Sequence, residues 1–347
     1  MDMTKQTLTL LLAATLSACT PNAQPRGGGQ QWTERQMPAP AEPPAPPPVR
    51  AERLDPTHVT AAQRELDAAL ASPDPVLKCN ALEVLQTTAG AGGRATFVAA
   101  LRSPDAPARF AAAMAIGQLR LHDSADELRR IINDPDPLVG VAVRFALHRL
   151  GDTRYSKDLQ ATAADPSRDV RGATAVALGM LGEPTATRVL RPMLRDAEPG
   201  VRLQAAEALW RLGQEDGMVT LIAGATSAYA DLQCVSLLGL AAPRDRRVLG
   251  HVQSALIAPH VESQLVAARA AGMLGSDMGF AIAAAATKSK DPRQRFLAAL
   301  ALGAIGRTDA QSMLAELLKD RDNPPVRLAA AQAILQLQSP GAAASGN

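Results

Sequence analysis

Apolar positions recur with helical spacing from about residue 56 to residue 338, and the helical segments themselves recur. VRGATAVALGMLG (170–182) and VRLQAAEALWRLG (201–213) share one frame with different filling, 31 residues apart. Steps of 31 link Lys78, Arg109, Gly140, Arg171, Arg202, Gln233, Gln264 and Arg295, and one step of 32 reaches Arg327. A fixed period of this size marks a solenoid, in which each unit buries its apolar face only against its neighbours. Each unit predicts two helices. The second begins at an acidic residue followed by proline, as in Asp74-Pro75, Asp136-Pro137, Glu198-Pro199 and Asp291-Pro292. There a carboxylate accepts from free N–H groups, and proline loses no bond it needed. It closes on Gly151, Gly182, Gly213, Gly275 or Gly306, residues suited to a left-handed cap. The first helix is amphipathic, as in ADELRRII from Ala125.

The frame D-P-x-x-V-R-x-A-A-A-x-A-L-G-x-L-G resembles the short HEAT-like repeat of the phycobilisome lyases. Asp165 to Gly182 and Asp291 to Gly306 follow it most closely. The resemblance implies an all-α, right-handed α-solenoid of about nine two-helix repeats, with the second helices lining a concave face. It is specific for fold and poor for function, because the family holds scaffolds, regulators and a few enzymes. The middle departs from it: Gln233 and Gln264 replace the arginine, and Arg244 stands where a closing glycine belongs, so a bend or looser joint is expected there.

With the repeated arginine as position zero and about 100° per residue, positions 3, 6, 7 and 10 form a core side. Positions 1, 5 and 9 lie opposite and would floor the concave face. Apolar residues hold most of them, including Phe110, Met114, Phe145, Met180, Leu203, Leu238, Leu265, Phe296 and Leu300; Glu83, Arg149, Glu207, Arg211 and Arg269 are charged. A contiguous exposed apolar face marks a binding site, so these residues are candidates for a groove that takes a protein, a peptide or an apolar ligand. Two other outcomes stay open: strong curvature that buries the floor as ordinary packing, and occupancy by a terminal segment. The arginines themselves (Arg109, Arg171, Arg202, Arg295 and Arg327) are expected to form a structural ladder with the acids four positions earlier, such as Asp105 and Glu198.

The N-terminus changes the picture. Lys5 precedes a twelve-residue apolar run, Thr7 to Ala18, shorter than the about 20 residues that span a bilayer and matched to a signal peptide. Leu16-Ser17-Ala18-Cys19 resembles the lipobox of bacterial lipoproteins, which implies a lipid on Cys19. Thr20 after the cysteine implies the outer membrane, facing the periplasm, if the cell is Gram-negative. Residues 19–55, with a glycine run and PAPAEPPAPPP (38–48), lack the apolar content to fold and read as a spacer. The expected organisation is signal peptide 1–18, lipid-anchored linker 19–55, solenoid 56–338 and tail 339–347.

Composition excludes more than it assigns. Aromatics are 3% of the chain, which suits thin helical layers, and a net charge of +2 gives no reason to expect nucleic acid. Cys79 and Cys234 would lie on the order of 50 Å apart in a straight stack, beyond disulfide reach. The five histidines, at 58, 122, 148, 251 and 260, show no metal-ligand spacing, and no nucleophile motif or phosphate-cradling loop occurs. The cluster Arg244 to Arg247 reads as a solvated turn or as a docking point for an acidic partner or lipid headgroup. No catalytic residue and no cofactor or metal is predicted. The expectation is therefore a membrane-anchored, protein-binding scaffold; the alternatives are a lyase- or isomerase-like enzyme of the phycobilin type and a structural spacer without a ligand.

Overall fold

A computed structural model describes residues 54–338; the lipobox, Cys19, the proline-rich segment and the tail lie outside the described residues. Nine helix pairs follow one another from Pro56 to Gln338. Odd-numbered helices form an outer layer: α1 (Pro56–Leu70), α3 (Arg94–Ala100), α5 (Ala125–Arg130), α7 (Ser156–Ala161), α9 (Thr187–Met193), α11 (Glu215–Ala225), α13 (Leu249–Ser254), α15 (Phe280–Ala286) and α17 (Gln311–Leu317). Even-numbered helices form an inner layer: α2 (Pro75–Ala89), α4 (Ala106–Gln118), α6 (Pro137–Arg149), α8 (Arg168–Leu181), α10 (Pro199–Arg211), α12 (Ala230–Ala241), α14 (Val261–Met273), α16 (Pro292–Ile305) and α18 (Pro324–Gln338).

The acid-proline caps work as the sequence predicts at three of the four starts, Glu198 being the exception. Asp74, Asp136 and Asp291 accept backbone N–H bonds at the starts of α2, α6 and α16. Asp105 and Glu198 make no such bond and serve the preceding repeat instead: Lys78 lies 3.4 Å from Asp105, and Arg168 lies 3.4 Å from Glu198. The closing glycines at 151, 182, 213, 275 and 306 have positive φ. Arg120 (φ 51°) and Arg244 (φ 59°) take the same left-handed conformation, so the turn expected to loosen at Arg244 is kept, at a conformational cost glycine avoids. Inner helices approach closely where a glycine faces the next one. A Cβ on Gly179 would lie 2.6 Å from the Ala208 Cα, inside contact distance.

The array closes on itself. The outer helix α1 packs on α18 at the far end of the chain as well as on its own partner α2, and α18 also meets α2. Two polar contacts cross the seam: Arg327 Nε to Glu65 Oε1 at 2.9 Å, and the Asp55 N–H to Gln311 Oε1 at 2.9 Å. Nine repeats therefore complete a circle, so each turns the array by about 40°. Solenoids need polar caps on their end repeats; here each end covers the other.

Candidate functional site: the ring interior and the rims

Closure decides the fate of the expected groove. Phe145 and Leu265 are fully buried, and Met114, Met180, Leu203, Leu238 and Leu300 are buried as well. Phe110 and Phe296 are half-buried and packed against the core. The open apolar floor is therefore corrected at these positions: seven are buried and two half-buried, packed in contacts between neighbouring helices, as the Phe145 ring lies against Gly117 of α4. The inner helices are apolar on nearly every side because they are covered on every side.

The centre also holds charge. Glu207 and Arg211 form a buried pair at 3.0 Å on α10. Glu83 of α2 and Arg269 of α14, six repeats apart in sequence, interact electrostatically across the seam side of the ring. Burial pushes the Glu83 carboxyl well up and pulls the Arg269 guanidinium down to about 10, each opposed by the other's charge. Both keep some accessible surface, so they line the inside of the ring rather than sit in its solid core.

The arginine ladder exists, with a different partner from the one expected. Arg109 holds Asp134, 25 residues on in the next repeat, through Nε (2.7 Å) and Nη2 (2.8 Å). Arg171 holds Asp196 at 2.7 and 2.8 Å, and Arg295 holds Asp320 at 3.0 and 2.6 Å. Each also donates through Nη1 to two carbonyls that end the preceding outer helix, as Arg171 does to Asp165 and Pro166. Arg202 makes the carbonyl bonds, to Asp196 and Ala197. Arg327 makes them to Asp320 and Arg321, and its Nε carries the rung across the seam to Glu65. Gln233 and Gln264 keep one carbonyl bond each: Gln264 donates to Ala258 (2.7 Å), six residues back as the arginines do, and Gln233 donates to Ala225 (3.0 Å), eight back. The guanidinium of Arg171 holds Asp196 below the usual carboxylate range.

One cluster escaped the sequence reading. His148 Nδ1 lies 2.8 Å from Ser156 Oγ, and Nε2 lies 2.6 Å from Glu183 Oε1. That is the connectivity of a nucleophile, base and acid. The serine hydroxyl, however, donates to the Thr153 carbonyl at 2.8 Å, and Thr187, its equivalent one repeat on, makes the same bond to Pro184. The hydroxyl proton is thus committed to the turn, and the imidazole acts as a strut between three consecutive repeats. Its only sequence signal is a histidine where Gly117 and Gly179 stand in neighbouring repeats.

The family model for HEAT repeats matches residues 64–148, 156–241 and 249–335. The chain belongs to the HEAT repeat family. Similar solved structures include the complex of CpcE and CpcF of phycocyanin lyase from Nostoc sp. PCC7120 (21% identity, 71% of this chain and 97% of that one, TM-score 0.43). Human deoxyhypusine hydroxylase in complex with glycerol is 20% identical over 72% of this chain and 99% of that one, with a TM-score of 0.36. Kap121p is 15% identical over 82% of this chain and 38% of that one, with a TM-score of 0.36. No curated protein sequence matches.

The remaining chemistry of this HEAT ring is used in packing. Cys79 and Cys234 are buried and free, and burial raises both thiols, Cys234 to about 11. The straight-stack separation does not apply to them, since nine inner helices at about 9 Å spacing make a circle only about 26 Å across. In the Arg244 to Arg247 turn, Arg247 pairs with Asp245 at 2.7 Å and stacks over Trp210 at 5.4 Å. Among the described residues no helix is long and apolar enough to cross a membrane.

Proposed function

We propose that this chain is a lipid-anchored scaffold of the cell envelope that engages protein partners through the rims and outer wall of its HEAT ring. Closure is the observation that carries this reading: with the inner helices on a circle only about 26 Å across, the surface left to a folded partner is the rims and the wall. The lipobox resemblance at Cys19 supports the anchor, and the proline-rich stretch before Leu54 supports a spacer of considerable reach. Every inner helix ends where the next outer helix begins, so Leu54 and Gln338 both leave from one rim. A tether entering at Leu54 holds that rim toward the membrane and leaves the opposite rim, where outer helices pass to inner ones, open. In a Gram-negative cell the proposed location is the outer membrane, facing the periplasm. The test is Cys19→Ala in the native host with labelled fatty acid and membrane fractionation. The parent should be labelled and membrane-bound and the variant neither. Equal labelling of both would sink the anchor.

A further inference from the structure

The free rim is uniform except in one place. Among the described residues the exposed large apolar side chains are Val219, Tyr229, Ile257, Val261 and Met278, all within repeats six to eight. Tyr229 (74% exposed), Ile257 (87%) and Val261 stand on the rim where outer helices pass to inner ones. The two turns that carry them, TSAYA (226–230) and IAPHV (257–261), contain no Asp, Glu, Lys or Arg, whereas the other seven each do. Gln233 and Gln264 each keep one carbonyl bond at the end of their outer helix, where Arg171 and Arg295 make two and also hold a carboxylate of the next repeat.

The neutral window is flanked by cations. Along the row of equivalent positions stand Arg195, Thr226, Ile257 and Lys288, along the next Asp196, Ser227, Ala258 and Ser289, and along the one after Ala197, Ala228, Pro259 and Lys290. Arg195, Lys288 and Lys290 are exposed, and none pairs with a carboxylate among the described residues. Acids stand beside the window as well: Asp231, 71% exposed, lies 3.6 Å from Arg293, Glu262 accepts from the neutral Gln294 at 3.5 Å, and Asp291 caps α16 beside Lys290. The three apolar side chains together expose on the order of 400 Å². That is about half of the roughly 800 Å² per partner in a stable interface, which suits a short segment and falls short of a lasting dimer of this chain.

We propose that this window docks a protein segment whose apolar side chains are flanked by carboxylates. The inference rests on the scaffold reading and supplies its surface and partner class. Tyr229 and Ile257 take the apolar anchors; Arg195, Lys288 and Lys290 meet the acids and reject basic segments.

The test uses the full chain and short fluorescent peptides, one with leucine and phenylalanine flanked by glutamates and one with lysines in their place. The glutamate peptide should bind at least about tenfold more tightly, and added salt should weaken it. Tyr229→Ser with Ile257→Ser, both exposed and so harmless to folding, should cut its affinity about tenfold or more. Lys288→Glu with Lys290→Glu should reverse the preference between peptides, and Val219→Ser on the outer wall should change nothing. Preference for the lysine peptide, no binding to either, or equal binding by parent and rim variants would overturn the proposal. So would vesicles of anionic lipid bound through the same residues in place of the peptide, or a dimer dissolved by the rim variants. Peptide failure with intact acylation of Cys19 removes the window and leaves the anchored scaffold; loss of acylation with peptide binding does the reverse.

Discussion

Replacing Phe145 by alanine tests whether an expected groove position is packed between α4 and α6 or open to a ligand. Phe145 occupies an inward position of α6 and has 0% exposure. Truncation removes roughly 150 Å² of buried apolar surface, which at about 25 cal/mol per Å² is near 4 kcal/mol. Measured losses for buried Phe→Ala changes, with the cavity included, run at about 3–5 kcal/mol. Phe110 and Phe296 also point inward and are only half-buried, so each should lose about 2 kcal/mol by the same area argument. An open floor gives a different pattern, with all three similar and each below about 1 kcal/mol. Urea unfolding of the full chain, followed by far-ultraviolet circular dichroism, distinguishes these outcomes provided the slope with denaturant is unchanged between variants. A loss below about 1 kcal/mol for Phe145→Ala, with the slope intact, would refute the packed reading of this position.

Other consequences follow from the ladder, the seam and the buried acids. Arg171→Met loses a bidentate carboxylate pair and two carbonyl bonds and should cost about 2–3 kcal/mol, against about 1 for Gln233→Met, which loses one bond; equal costs in urea unfolding would contradict the ladder's double role. A permuted chain that begins at Glu183, ends at Gly182 and joins Gln338 to Asp55 through about five residues should fold with the parent's helix content, because such a link spans at most roughly 18 Å; an aggregated or half-folded product would mean that the seam is open. Asp196 is depressed in the folded state, so its stabilisation is present above its unfolded value of about 3.9 and is lost as pH falls through the acid range. The stability gap between parent and Arg171→Met should narrow there. Glu83 is raised by burial, so it loses stability as pH rises above about 4.3. Glu83→Gln should therefore raise the urea midpoint near neutrality and lose that gain on acidification, and a gap independent of pH would argue against its burial.

Much of the repeat was readable from residues that act locally. The aspartate-proline starts, the glycine stops and the amphipathic outer helices are decided within one turn of chain, so their signals survive in sequence order. The ladder was half readable. The arginines stood out by their period, but the nearer acid drew attention from Asp134, Asp196 and Asp320, which lie a repeat away in sequence and a bond length away in space. The chargeless turns around Tyr229 and Ile257 were also present in the letters. Their exposure was not, because an apolar residue in a turn is as often tucked under a neighbour as turned to water.

The inward positions show where such reading stops. Phe145 and Leu265 have the same sequence context whether they line a groove or fill a centre. The choice depends on curvature, which is a sum of small rotations at each inter-helix contact, including close approaches such as Gly179 against Ala208. No single repeat reveals that sum. The sequence by itself determined the helices, their pairing, their caps and their number, because short-range geometry and periodic burial act within a repeat and its neighbour. Only the tertiary structure decided that nine repeats make a full turn, that α1 covers α18, and that the expected binding face is the core, because closure is a property of the whole array.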